Sequence, residues 1–132
     1  MPGSARKDER MTGRGVEPIR MPIFPAEIAA PDDAGRLLKL LLAATEAGQH
    51  AAFLAPGTHG FQKGISKAMF DSVSRQVASR LKAGYTAQYL VELTQGEFRV
   101  HLWKISFSDG GCEFVARLAL TADGKVAGFL LN

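Results

Sequence analysis

At Gly84 the apolar residues change their period, and that change constrains the fold more than any other feature of the chain. Before it they recur every three or four residues. Met69, Phe70, Val73, Val77 and Leu81 carry the spacing of a helix face, about 3.6 residues per turn. After it they alternate, as on strands whose successive side chains point to opposite faces. Four such runs follow, at roughly 85–94, 97–107, 112–121 and 125–131. Gln95-Gly96, Asp109-Gly110-Gly111 and Ala122-Asp123-Gly124 separate them as turns. The last two have the form of three-residue hairpins with glycine in the left-handed position. The expected fold class is therefore α+β, with N-terminal helices packed on a curved four-stranded antiparallel meander.

In the helical half, Asp32 or Asp33 is placed to cap a helix running to about Ala47, where Gly48 stops it. Leu37, Leu38, Leu40, Leu41 and Leu42 cover more than half its circumference, so it should be buried on most sides. A helical turn, His50 to Ala55, precedes Pro56-Gly57. The Gly-rich residues 56–64 read as a loop or a short irregular hairpin. Ser66 opens the second long helix as N-cap, with Ile65 and Phe70 at the positions of a hydrophobic staple.

Residues 1–31 differ from the rest. Pro2, Pro18, Pro22, Pro25 and Pro31 are five of the chain's six prolines, and charges of both signs mix without any apolar period. Residues 1 to about 21 read as disordered. The whole of 1–31 reads as an N-terminal arm, disordered or loosely attached, and 32–132 as one domain. Met1, Met11 or Met21 could each be the true start. Ile23, Phe24 and Ile28 are apolar enough to fold back onto the domain.

Composition excludes several classes. Sixteen basic against thirteen acidic residues leave a net charge of +3, too little to imply a nucleic-acid partner. The single cysteine, Cys112, forbids an intrachain disulfide and a cysteine-based zinc site. His50, His59 and His101 stand at no metal-ligand spacing, and no cofactor is expected. No apolar run at the start resembles a secretory signal. The longest apolar run, Leu40 to Ala44, falls far short of the roughly 20 residues a membrane helix needs. A soluble, cytoplasmic chain with no membrane partner is expected.

The strands also permit an argument about faces. A two-residue loop at Gln95-Gly96 would pair Leu93 with Phe98, Val91 with Val100 and Tyr89 with Leu102, and set Glu92 opposite Arg99. One face then carries these apolar residues and continues into Leu118 and Leu120. It should lie under the helices. The opposite face carries Leu90, Glu92, Arg99, His101, Trp103, Ile105, Val115 and Arg117. Its mixture of aromatic, aliphatic and charged residues suits a protein–protein interface, and Trp103 would meet Arg117 in a cation–π contact. This is the expected homodimer surface. The last strand's register, and with it the side that Phe129 faces, stays open.

Several residues could carry chemistry. His59 could line a pocket mouth with Gln62 and Tyr85, and Tyr85 and Tyr89 are the main polar tips of the covered face. His101, with Glu92 nearby to orient it, could act as a general base. Lys63, Lys67, Arg75, Arg80 and Lys82 make the second helix basic, although Lys67, Asp71 and Arg75 form an ion-pair ladder. Cys112 has neither a base nor a helix N-terminus beside it and reads as an inert thiol.

The C-terminal run Phe114-Val115-Ala116-Arg117-Leu118-Ala119-Leu120-Thr121-Ala122-Asp123-Gly124-Lys125-Val126-Ala127-Gly128-Phe129-Leu130, following two long helices, resembles the small domains of the nuclear transport factor 2-like, cystatin-like cone superfamily. It is similar in particular to bacterial domains of unknown function that end in an apolar strand, an Asp-Gly-Lys turn and an Ile-Ala-Gly-type strand. The resemblance spans about residues 33–131. It implies a cone in which helices pack inside a bent sheet, often with a pocket and often dimeric through the open sheet face. Isomerases, dehydratases and non-catalytic binding domains share that fold, so it does not give a function. The acid/base Asp or His of the enzymes maps to no residue here. The leading expectation is a non-catalytic domain binding a small apolar ligand or a protein, with no catalytic residues. A small isomerase or hydro-lyase using His59 or His101 stands second. An anion or nucleic-acid binder through the basic helix stands third.

Overall fold

Gly48 and Gly84 both take positive φ, at 69° and 115°, and each ends a helix where the sequence places a stop. The computed structural model describes residues 31–132, and the expectations for the arm preceding Pro31 lie outside the described residues. Four helices come first: α1 (Asp32–Ala47), α2 (His50–Leu54), α3 (His59–Gly64) and α4 (Lys67–Ala83). Four strands follow: β1 (Tyr85–Gln95), β2 (Phe98–Phe107), β3 (Phe114–Leu120) and β4 (Val126–Leu131). They form an antiparallel meander in the order β1-β2-β3-β4. The α+β class inferred from the period change is the observed one. Among the described residues, no helix is long and apolar enough to cross a membrane.

Ser66 caps α4 as expected, its hydroxyl accepting from the Met69 N–H at 3.1 Å. Two local expectations are corrected. The N-cap of α1 is Pro31, and Asp32 and Asp33 lie inside the first turn. Residues 59–64 form a helix, because the Thr58 hydroxyl accepts from the Phe61 N–H and Phe61 anchors the turn in the core. Gly60 and Gly64 hide that helix from a propensity reading.

The core lies between the helices and one sheet face. Leu38, Leu41 and Leu42 of α1 and Phe70, Val77 and Leu81 of α4 meet Trp103, Ile105, Leu118 and Leu120. Each such aliphatic side chain contributes roughly 1.5–3 kcal/mol by leaving water. Leu40 is an exception to the expected burial and remains exposed. A satellite of rings joins α2 to α3, α4 and β4, with Phe53 at 5.7, 5.0 and 6.0 Å from Phe61, Phe70 and Phe129. Phe129 thus faces the helices.

The strand faces differ from the expectation, and the causes are a bulge in β1 and the length of the second turn. The first hairpin closes between Gln95 and Phe98, with Gly96 at φ 62°. This moves every pairing by two residues and leaves the faces unchanged: Leu93 opposes Val100, and Val91 opposes Leu102. A bulge between Tyr89 and Val91 then reverses the parity, so that Tyr89 opposes Trp103. In the second hairpin His101 opposes Leu118 and Trp103 opposes Ala116. Continued, that register opposes Phe107 to Cys112 and leaves four residues in the turn, one more than expected. A one-residue difference transfers a whole strand to the other face. Leu118 and Leu120 do lie under the helices as expected, but they bring His101, Trp103 and Ile105 with them rather than Val100 and Leu102.

Arg80 of α4 holds this second turn. Its Nε donates to Asp109 Oδ2 at 2.7 Å, and its Nη2 donates to Asp109 Oδ1 at 3.1 Å and to the Cys112 carbonyl at 2.7 Å. The guanidinium lies 3.9 Å from the Phe107 ring centroid. A Cβ at Gly111 would stand 2.8 Å from Arg80 Nη2, so a larger residue there would displace the guanidinium tip. Loop 56–58 pairs with one edge of the sheet, where Thr58 N–H donates to the Val126 carbonyl and Val126 N–H to the Pro56 carbonyl.

The bond to Arg80, followed by one from the Gly111 N–H, holds the Asp109 carboxyl down at about 2, against an ordinary 3.8. A carboxylate lowered on folding stabilises above its unfolded value and loses that contribution as pH falls from 3.8 towards 2. The pair is partly exposed, so salt screens it. Denaturant midpoints measured across that acid window should fall further for the parent chain than for Asp109→Asn, and high salt should narrow the gap.

Candidate functional site

Three features of the surface can bind something, and they share Leu130 alone, between the first and the third. The first is an apolar cleft of about 210 Å³ where α2 and α4 meet β4. Phe53, Ile65, Met69, Phe70, Val73, Phe129, Leu130 and Leu131 line it together with Thr45. The one hydroxyl of that lining is occupied, since Thr45 Oγ1 donates to the Leu41 carbonyl at 2.8 Å. The Ile65 carbonyl is likewise occupied, bonded to His50 Nε2 at 2.9 Å. The cleft therefore offers dispersion and water exclusion but no unpaired polar group from these residues. Met69, at 57% exposure, and Val73 leave its rim open to solvent.

The second feature is a cleft at the start of α1, also about 210 Å³, lined by Pro31, Asp32, Asp33, Ala34, Arg99, His101, Leu120 and Gly124. His101 is 0% exposed, and its Nδ1 lies 2.8 Å from the Tyr89 hydroxyl. Trp103, at 3% exposure, packs edge-on against Tyr89 with centroids 5.4 Å apart. Burial pushes the His101 imidazole below its ordinary 6.5, Glu92 opposing the shift and Arg99 adding to it. Burial likewise pushes the Tyr89 hydroxyl up, with Glu92 adding to it. Both rings are neutral near pH 7.

The third feature is the uncovered sheet face. Val91, Leu93, Phe98, Leu102 and Leu130 fall on it by register beside the polar Gln88 and Lys104, Val100 and Ala119 between them are themselves buried, and Leu130 is 50% exposed. Arg117 lies among them and donates to Gln95 Oε1.

The four residues expected to line one pocket do not meet. His59 and Gln62 are exposed on α3, and Gln62 Nε2 donates to the Leu54 carbonyl at 3.1 Å. Tyr85 and Tyr89 stand on β1, Tyr85 beside Trp103 in a shallow hollow with Leu38 and Lys39. Of the eight residues assigned to the open face, His101, Trp103 and Ile105 are buried under the helices, which corrects that assignment. Trp103 and Arg117 point to opposite sides of the sheet, so their cation–π contact does not form. Arg99 and Glu92 belong by register to the helix side of the sheet, at its exposed end. Leu90 sits in the β1 bulge and is exposed. Val115 and Arg117 remain on the open face. Of the basic residues on and before α4, Lys67 pairs with Asp71 at 2.7 Å and Arg80 with Asp109. Among the described residues, no cluster of three His, Cys, Asp or Glu could hold a metal.

The apolar cleft, absent from the expectations above, has one trace in the sequence. Phe70, Val77 and Leu81 make the buried stripe of α4, while Met69 and Val73 form a second pair four residues apart beside it. Two apolar stripes on one helix imply two apolar partners.

No protein-family model matches the chain, and no curated protein does. Among solved structures it is similar to an uncharacterised cystatin-fold protein from Novosphingobium aromaticivorans, at 15% identity and a TM-score of 0.39, over 74% of this chain and 95% of that one. A likeness that loose says nothing about ligand or activity.

A histidine lowered on folding favours the neutral form in the native state, so stability is lost as pH falls through 6.5 towards the folded value. Melting temperature should therefore drop below pH 6.5, and His101→Gln should flatten that part of the profile. Thermal scans of both proteins across the range check it.

Proposed function

We propose that the chain is a non-catalytic binding domain that takes a small apolar ligand in the cleft between α4 and β4. The observation that carries this reading is the cleft's lining: eight apolar residues around one hydroxyl already bonded within α1. Nothing there would orient a reacting polar group, whereas an aliphatic or aromatic group would gain roughly 25 cal/mol for each Å² of apolar surface removed from water.

The same reading includes self-association through the open sheet face. The surface differs from the one first expected, because Val91, Leu93 and Leu130, on the two edge strands, replace the buried Trp103. A sheet face that joins these apolar residues to Arg117 and the Lys104–Glu113 ion pair fits a self-complementary interface. Native mass spectrometry of the purified chain reports subunit count and retained ligand together. We expect a dimer that becomes a monomer in Leu93→Glu, and a monomeric parent chain would remove this part of the proposal.

One observation favours the enzyme alternative, the Tyr89–His101 pair at a cleft. A phenol is the better donor of the two. Its bond to Nδ1 keeps the hydrogen on Nε2, which makes His101 a donor and not a base. The isomerase or hydro-lyase reading therefore stands second.

The binding reading is tested with a fluorescent apolar probe such as anilinonaphthalene sulfonate. Val73→Glu at the exposed rim should weaken probe binding at least tenfold while leaving the melting temperature within a few degrees. Unchanged binding would overturn the assignment of the cleft.

A further inference from the structure

The cleft at the start of α1 shares no lining residue with the apolar one, and its chemistry is the opposite. The helix behind it has 16 residues and begins without a side-chain cap. Its first backbone bond runs from the Gly35 N–H to the Pro31 carbonyl at 2.9 Å. The N–H groups of Asp32, Asp33 and Ala34 precede that bond and have no partner inside the helix. They carry the positive end of the α1 dipole.

A second observation is independent of the helix. His101 lines this cleft, is 0% exposed, and its Nε2 has no hydrogen-bond partner among the described residues. Leaving such a group unpaired disfavours the fold unless something binds it. Tyr89 holds the other ring nitrogen at 2.8 Å, so Nε2 presents a hydrogen. Arg99, on the same strand two residues away, adds a guanidinium to the lining. Leu120 supplies an apolar wall.

Three kinds of donor therefore converge: helix N–H groups, a guanidinium and an imidazole N–H. All of them suit a carboxylate. Two acceptors stand beside them. Asp33 is drawn to Arg36 at 3.2 Å, and Asp32 is the other. A bare anion would be repelled by Asp32, while a carboxylate with a hydroxyl or ammonium on the next carbon would satisfy it. We infer that this cleft is a binding site for a small 2-hydroxy- or 2-amino-carboxylate, its carboxylate held by Arg99, His101 Nε2 and the α1 N-terminus, and its donor by Asp32.

The full chain is titrated with L-lactate, L-alanine, acetate and sodium chloride. The readouts are the imidazole nitrogen shifts of His101 and the fluorescence of Trp103, the chain's only tryptophan, whose ring centroid lies 6.1 Å from that of His101. Lactate or alanine should give a saturable shift at His101 Nε2, at least tenfold tighter than acetate. Arg99→Ala, an exposed substitution that leaves the core intact, should weaken it tenfold or more. Asp32→Asn should remove the preference over acetate. An equal response to chloride, no saturable shift with lactate or alanine, or an unchanged affinity in Arg99→Ala would each overturn the inference. Because Val73→Glu lies in the other cleft, this site should respond in that variant as in the parent chain.

Discussion

The pairing of β2 with β3 decides which side chains the helices cover, and one guanidinium secures it. Arg80 reaches from the last turn of α4 to both oxygens of Asp109 and to the carbonyl of Cys112, with its flat face on Phe107. Those contacts span the turn whose length sets the parity of the two strands. A turn one residue shorter would exchange Trp103, His101 and Ile105 for Leu102 and Val100 under the helices. The cation is thus not merely a surface ion pair added to a finished fold. It joins the helical layer to the one connection where the sheet could have chosen its other face.

What could be read from the sequence divides along the same line. Helix boundaries depend on local chemistry, and Gly48, Ser66 and Gly84 act as their residue types suggest. The Ala122-Asp123-Gly124 turn was also legible, and the Thr121 N–H closes it on the Lys125 carbonyl. Asp109-Gly110-Gly111 was not, because its length depends on Arg80, some thirty residues earlier in the chain and on another element. The bulge at Leu90 has no local signature either. Consequently the alternation along each strand is legible, but the side of the sheet on which Trp103 and His101 lie is not. His59 and Gln62, the expected pocket residues, belong to a glycine-rich stretch that Thr58 caps into a helix.

The corrected register changes the character of both faces. The covered face acquires a neutral Tyr89–His101–Trp103 group at its end, a polar feature inside an apolar layer. The open face loses its tryptophan and is aliphatic towards the first hairpin and polar towards the second. An unpaired imidazole nitrogen and an exposed aliphatic sheet face are both costly in a monomer, and each makes chemical sense where something else completes it.

The two edges of the sheet are also unequal. Pro56 to Thr58 occupy the outer side of β4 through two backbone bonds, so that edge is closed at Val126. β1 is the longer edge, at 11 residues, and it carries the bulge between Tyr89 and Val91. The irregularity that turns Tyr89 inward also interrupts the run of outward-facing N–H and C=O groups. An arriving strand could keep register along only half of β1 before its donors and acceptors fell out of step. The fold is therefore guarded against runaway strand addition at both ends, by a loop on one side and a misstep in the backbone on the other.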